Sequence, residues 1–261
     1  MKSIQKVILI GSGNVATQLG LALAEKGFDI LQIYSKTHAH ANELAKKLNS
    51  SPTNQINKIR PDADIYIISV SDNAILEVAE ALPHENIFIV HTSGSTPMDI
   101  FKNKWEKYGV LYPLQTLSKS VKCDFSNIPL CLEASDRKSL ERIIESGKKI
   151  SRRVYHIDSE QREYLHIAAV FASNFTNHMY AIANDILEKK DIPFDILHLL
   201  LEETLRKAKS NNPAKVQTGP AIRGDNRIID KHTEKLSSLP AYQKIYNFIS
   251  QSIQNTKKLK P

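Results

Sequence analysis

Along the first 157 residues, apolar side chains fall in short consecutive runs separated by segments of helical period. The runs are Val7 to Ile10, Ile30 to Tyr34, Ile65 to Val70 and Ile87 to His91, then Gly109 to Tyr112, Ile128 to Glu133 and Arg153 to Ile157. Several are apolar at successive positions instead of alternating, the pattern of strands covered on both faces by helices. Between them, Asn14 to Glu25, His38 to Leu48, Asn73 to Ala81 and Arg137 to Ile150 carry helical spacing. Strand and helix in this alternation predict an α/β domain with a doubly wound sheet over residues 1–157.

From Asp158 onward the pattern changes. Ser159 to Lys190 contains neither Gly nor Pro. Leu165, Ala168, Ala169, Ala172, Phe175, Met179, Ile182, Ala183 and Ile186 recur at three- and four-residue steps, which predicts one long helix with an apolar stripe. Ser159 is its expected N-cap, with Arg162 and Glu163 in the first turn. A second helix is expected from Pro193 to Lys209, an ordered loop over Asn211 to Asp225, and helices at Asn226–Leu236 and Ala241–Ile253. Residues 158–261 therefore read as a second, all-helical domain.

The first strand runs into Gly11-Ser12-Gly13-Asn14-Val15-Ala16 and then a helix. This GxGxxA turn is a dinucleotide fingerprint. Gly11 permits the tight turn, Gly13 clears the approach of a pyrophosphate, and Ala16 lets helix and sheet pack closely. The helix start presents unpaired N–H groups to the anion. At the end of the second strand, where NAD-binding chains place an acid, stand Tyr34-Ser35-Lys36-Thr37. A cation between two hydroxyls suits the 2′-phosphate of NADP(H); the alternative is a solvated lysine at a helix start.

Charge and composition narrow the classes further. The net charge of +7 is spread over faces interleaved with Glu and Asp, and its one cluster, Lys257-Lys258-Leu259-Lys260, is terminal. With no recognition motif beside it, nucleic acid is not an expected partner. No apolar run reaches the ~20 residues of a membrane span, and the N-terminus does not read as a signal peptide. Two cysteines, Cys123 and Cys131, supply neither a disulfide framework nor a zinc site, so no metal is expected and a cytoplasmic location is.

Five segments then occur in order: the GSGNVA turn, His91-Thr92-Ser93-Gly94-Ser95, Tyr112-Pro113-Leu114-Gln115-Thr116, His166 to Phe175, and Thr218 to Asp225. Together they resemble a bacterial family of Rossmann-like NADP oxidoreductases with an all-helical C-terminal domain, similar to ketopantoate and pyrroline-5-carboxylate reductases. The resemblance covers nearly the whole chain. It implies a Rossmann domain followed by a helical domain like the C-terminal domain of 6-phosphogluconate dehydrogenase, NADP(H) as cofactor, and a homodimer formed through long helices. It also places Val70-Ser71-Asp72 and His91-Thr92-Ser93-Gly94 on the nicotinamide side of the cofactor. The related reductases commonly carry a helix-borne Lys where this chain has Val170.

Hydride transfer to a carbonyl or imine requires an oriented ring, a stabilised developing charge and a proton. His166 is the expected proton donor, because histidine is the side chain whose reference pKa lies nearest neutral pH, with Asn174 beside it; Lys215, His232 or a water are alternatives. Glu163, His166, Ser173, Asn174 and Asn177 count onto one helical face, so Ser173 and Asn177 are candidate substrate contacts. Arg223 could pair with a substrate carboxylate and Asp225 could hold it, or the two could simply brace their loop; Thr218 and Gln115 complete the candidate set. The expected activity is NADPH-dependent reduction of a small 2-oxo or imino acid, with ketopantoate first and a cyclic imine second. The contrasting class is a protein that senses NADP(H) without turnover.

Overall fold

A computed structural model describes residues 3–258. The sheet has eight strands in the order β3-β2-β1-β4-β5-β6-β7-β8. In chain order they are β1 (Lys6–Ile10), β2 (Asp29–Tyr34), β3 (Ser51–Thr53), β4 (Ile65–Ile68), β5 (Phe88–His91), β6 (Lys107–Pro113), β7 (Leu130–Ala134) and β8 (Val154–His156). Helices α1 (Asn14–Glu25), α2 (His38–Leu48), α3 (Ile75–Glu80) and α4 (Arg137–Ile150) connect them. The order reverses at β1 and β4, the switch point where open α/β sheets bind ligands.

The consecutive apolar runs have the expected cause. On β1, Val7 and Leu9 join one buried cluster while Ile8 and Ile10 join the other. On β4, Ile65 and Ile67 divide from Tyr66 and Ile68 in the same way. Each strand alternates between two cores, so both of its faces must be apolar.

Two features depart from a wholly parallel reading. Strand β3, Ser-Pro-Thr, is too short to announce itself; its proline is tolerated because the strand lies at the sheet edge, paired only with β2. Strand β7 runs antiparallel to β6, since the chain returns through residues 114–129 without a crossover helix. Helix α4 then restores a parallel pair, β7 with β8.

The chain divides into two compact units, Met1–Ser173 and Asn174–Pro261. Helix α5 (Ser159–Ala169) belongs to the first. Its N-cap is Asp158, not Ser159: the Asp158 carboxylate accepts from Gln161 N and the Gln161 side chain accepts from Asp158 N, a capping box. Ser159 is instead bound to Glu133, on β7. The single long helix expected to Lys190 is interrupted by a π-helical turn, Val170–Phe175, before α6 (Thr176–Glu188). Such turns concentrate at functional sites, and this one breaks the 3.6-residue phase on which the single polar face was counted.

The second unit continues with α7 (His198–Ser210), α8 (Pro220–Arg223), α9 (Asn226–Lys235) and α10 (Pro240–Lys258). The segment read as a loop holds α8, entered through Gly219 at φ +103° and left through Gly224 at φ +77°. Of the expected buried stripe, only Ile182 is buried. The basic cluster Lys257-Lys258-Leu259-Lys260 falls at and past the end of the described residues.

Candidate cofactor and active site

A cleft of about 680 Å³ opens in the first unit at the carboxyl ends of β1, β4 and β5. Gly11, Ser12, Gly13, Asn14 and Val15 line it together with Ser35 and Lys36, Val70 and Ser71, and Thr92, Ser93 and Gly94. Segments far apart in sequence thus converge on one hollow.

The phosphate turn is held by its neighbours. Gly11 N–H donates to Tyr34 O at 2.8 Å, and the Ser12 hydroxyl donates to Ser35 Oγ at 2.9 Å. Gly11 has φ +125°, and a Cβ there would lie 2.2 Å from the Ser69 carbonyl, so no other residue fits. Around a Cβ added at Gly13 there is only open space, on the cleft-lining turn that leads into α1. These residues fit a dinucleotide pyrophosphate, with the α1 N-terminus supplying N–H donors. Ser35 and the exposed Lys36 line the cleft; Thr37 precedes α2 and does not.

The β5 loop is wired internally. Thr92 Oγ1 donates to Ser69 Oγ at 3.2 Å. Ser93 Oγ accepts from Ser95 N and Thr96 N, and Ser95 Oγ donates to Asp72 at 2.5 Å. His91 differs from its expected role: it is fully buried, does not line the cleft, and its Nδ1 accepts from Ser93 N at 3.2 Å. Burial, reinforced by the Arg162 charge, lowers its pKa to about 3, so the ring stays neutral and shapes the turn beneath the cleft.

His166 reaches the cleft from α5, and Tyr112 meets it from β6. The two groups hydrogen-bond, Tyr112 Oη to His166 Nδ1, at 3.1 Å. Both rest on Gly94: a Cβ there would come within 2.6 Å of His166 Nδ1 and 2.9 Å of Tyr112 Cζ. Burial pushes the Tyr112 phenol above its ordinary value, so the hydroxyl keeps its proton beside the ring, and the direction of the bond follows the imidazole tautomer.

Beneath this pair lies a buried ion pair that sequence reading missed. Arg162 is 1% exposed; its Nη1 meets Glu133 Oε2 at 2.6 Å, and its Nη2 donates to Thr96 O at 2.6 Å. The bond to Thr96 ties α5 to the same loop that carries Gly94. His166 lies one turn beyond Arg162, so the ion pair sets where the imidazole sits. Tyr112 was legible only as part of the Tyr-Pro-Leu-Gln-Thr motif; no local signal connects residues 133 and 162.

Two remaining candidates of the first unit, Gln115 and Ser173, do not line this cleft, and the others belong to the second unit. Gln115 turns its amide back onto Thr116 N at 2.9 Å, and Ser173 is half-buried at the end of the first unit. Asn174 and Asn177 are exposed in the second unit. Thr218 lines a mainly apolar pocket of about 350 Å³ within that unit. Arg223 is exposed, and Asp225 caps α9 by accepting from Ile228 N at 3.3 Å. Of the alternative donors, His232 is bonded to Tyr246 at 2.9 Å and Lys215 lies on a surface turn. Both cysteines are free thiols, and burial lifts Cys131 to about 11, so neither is poised as a nucleophile. Among the described residues no group of three or more His, Cys, Asp or Glu is placed to hold a metal, and no helix is long and apolar enough to cross a membrane.

Comparison with known proteins agrees with this geometry. Residues 128–253 match the family described as a domain of unknown function (DUF2520), and residues 2–102 match the shikimate/quinate 5-dehydrogenase family. A protein from Bacteroides fragilis designated a "putative NADP oxidoreductase" is 43% identical, with a TM-score of 0.91, covering 97% of this chain and 98% of that one. A Thermotoga maritima protein is 21% identical with a TM-score of 0.72, covering 97% and 98%. The imine reductase of Myxococcus stipitatus, solved with NADP+, is 14% identical with a TM-score of 0.67, covering 97% and 94%; at that identity it shares the fold. No curated protein sequence matches the chain.

Proposed function

The chain belongs to the family of Rossmann-like NADP oxidoreductases that carry a DUF2520 helical domain, and from that premise we propose that it reduces a small 2-oxo or imino acid with NADPH, His166 donating the proton. Ketopantoate is the first candidate substrate and a cyclic imine the second. The observation that carries this reading is the Tyr112–His166 pair seated on Gly94, at the loop expected beside the nicotinamide.

Each wall of the cleft has a task. The Gly11-to-Val15 turn holds the pyrophosphate, and Ser35 with Lys36 holds the 2′-phosphate. Val70, Ser71, Thr92, Ser93 and Gly94 seat the ring that, when bound, supplies the hydride. Tyr112 engages Nδ1, so Nε2 is the nitrogen from which the protonated ring gives its proton to the oxygen or nitrogen that gains charge. That leaves a neutral imidazole with its remaining proton on Nδ1, facing the Tyr112 oxygen. Asn174, Ser173, Asn177, Thr218, Arg223, Asp225 and Gln115 remain the candidates for substrate recognition, Arg223 for a carboxylate. We also propose that the protein works as a homodimer, supported by the large apolar side chains exposed on the helical unit. Two free thiols fit a reducing, cytoplasmic setting.

The test is NADPH oxidation followed by absorbance against 2-oxo acids and cyclic imines, with His166→Asn in parallel. Loss of a general acid should lower kcat by about 10²-fold or more while leaving NADPH affinity unchanged. Tight NADPH binding with no turnover on any member of either panel would favour a sensor.

A further inference from the structure

The segment joining β6 to β7 is buckled onto one stripe of α1. Gln18, buried on that helix, commits its whole amide to it: Nε2 donates to Ser118 O at 2.5 Å and to Val121 O at 2.8 Å, and Oε1 accepts from Cys123 N at 3.1 Å. One turn earlier, Asn14 Oδ1 accepts from Lys119 N at 3.3 Å. Further along, Lys122 pairs with Glu25 at 3.3 Å. Asn14, Gln18 and Glu25 are spaced by four and seven, so one helix face carries every fastening.

The result is a strap whose Lys119 is pinned, through its backbone, to the first residue of α1. That residue, Asn14, lines the cleft beside Gly13. The Lys119 side chain is exposed and forms no close ion pair among the described residues. Its charge reaches α2: the Glu43 carboxyl is held below its ordinary value mainly by Lys47, with Lys119 and His40 adding to the effect. Lys119 thus has its backbone at the start of α1, while its charge is felt on α2, the helix that begins directly after Ser35-Lys36-Thr37.

We propose that Lys119 is a second cation for the 2′-phosphate of NADP(H), its backbone tied by the strap to Asn14, which lines the same cleft as Ser35 and Lys36. A lysine binds phosphate as a point charge and needs its backbone held to lose little freedom on binding. The Gln18 amide does that holding before any ligand arrives. This proposal rests on the cofactor class and not on the substrate or on His166.

The experiment is direct binding of NADPH and of NADH, read by cofactor fluorescence, to the full chain and to Lys119→Ala, Lys119→Arg and Lys122→Ala. Lys119→Ala should weaken NADPH on the order of tenfold, more at low salt, and leave NADH unchanged. Lys119→Arg should retain most of the preference, and Lys122→Ala should match the parent. Unchanged NADPH affinity in Lys119→Ala overturns the proposal. Equal loss of NADPH and NADH also overturns it, because that places the lysine on the pyrophosphate or in the fold.

Discussion

The α/β unit carries its own core, and the helical unit does not. In the first, strands β1, β4 and β5 are buried on both faces by two separate apolar clusters. In the second, Ile182 and Ala221 are the only buried apolar residues among those described, and α7 has none. Leu199 is 79% exposed and Phe248 74%, with Ile196, Leu200 and Leu205 also open. Apolar periodicity predicts a helix equally well in both units. It does not say which chain covers the apolar face, and on the second unit this chain leaves much of it open. Exposed apolar surface of this kind marks an interaction site, which is why the homodimer proposal rests on that unit.

The contrast can be tested at three points. Glu133→Ala should have the largest effect, because it strands the Arg162 guanidinium uncompensated at 1% exposure. Removing one partner of a buried pair costs about 3–5 kcal/mol; urea unfolding should show a loss of that size, independent of protein concentration, as expected of a self-contained core. Leu199→Glu should act differently. It should leave the α/β unit's unfolding midpoint nearly unchanged but shift sedimentation from dimer to monomer at micromolar concentration, a change of about 1–3 kcal/mol in association. If the parent protein is already monomeric, the open face has some other occupant.

His91 gives the smallest and most specific effect. Its folded pKa, about 3, lies below the ordinary value near 6.5, so the unfolded chain binds the extra proton between those values. Its contribution to stability is complete above the ordinary value and is lost as pH falls toward 3. His91→Asn should flatten the pH dependence of unfolding within that window while leaving NADPH affinity largely intact. An unchanged slope would mean that other groups dominate acid unfolding.

Legibility followed the distance over which each feature is encoded. The Gly11-to-Val15 turn and Ser35-Lys36 were readable as candidates because each is a continuous segment, and both line the cleft. Helices α1, α2 and α4 were readable for the same reason. Strand β3 was not: three residues including a proline carry no periodicity. The Asp158 capping box was lost to Ser159, the neighbouring residue, because either can cap a helix and Glu133 decides between them. The polar face from His166 to Asn177 was counted on an unbroken helix, and the π-helical turn at Val170–Phe175 carries no simple sequence mark. His91 stood in the right motif with the wrong task, since its burial depends on Phe101 and on the turn at Ser93.

Local sequence was enough to determine the doubly wound class, helices α1, α2 and α4 and the Gly-rich turn, because those depend on side-chain period and on backbone freedom at Gly11 and Gly13. Contacts between distant segments decided the rest. The tertiary structure paired Tyr112 with His166 across 54 residues, Arg162 with Glu133 across 29, and Gln18 with the strap across about 100. Each of these bonds joins groups whose partners are chosen by packing of the sheet and helices, and no local pattern specifies that choice.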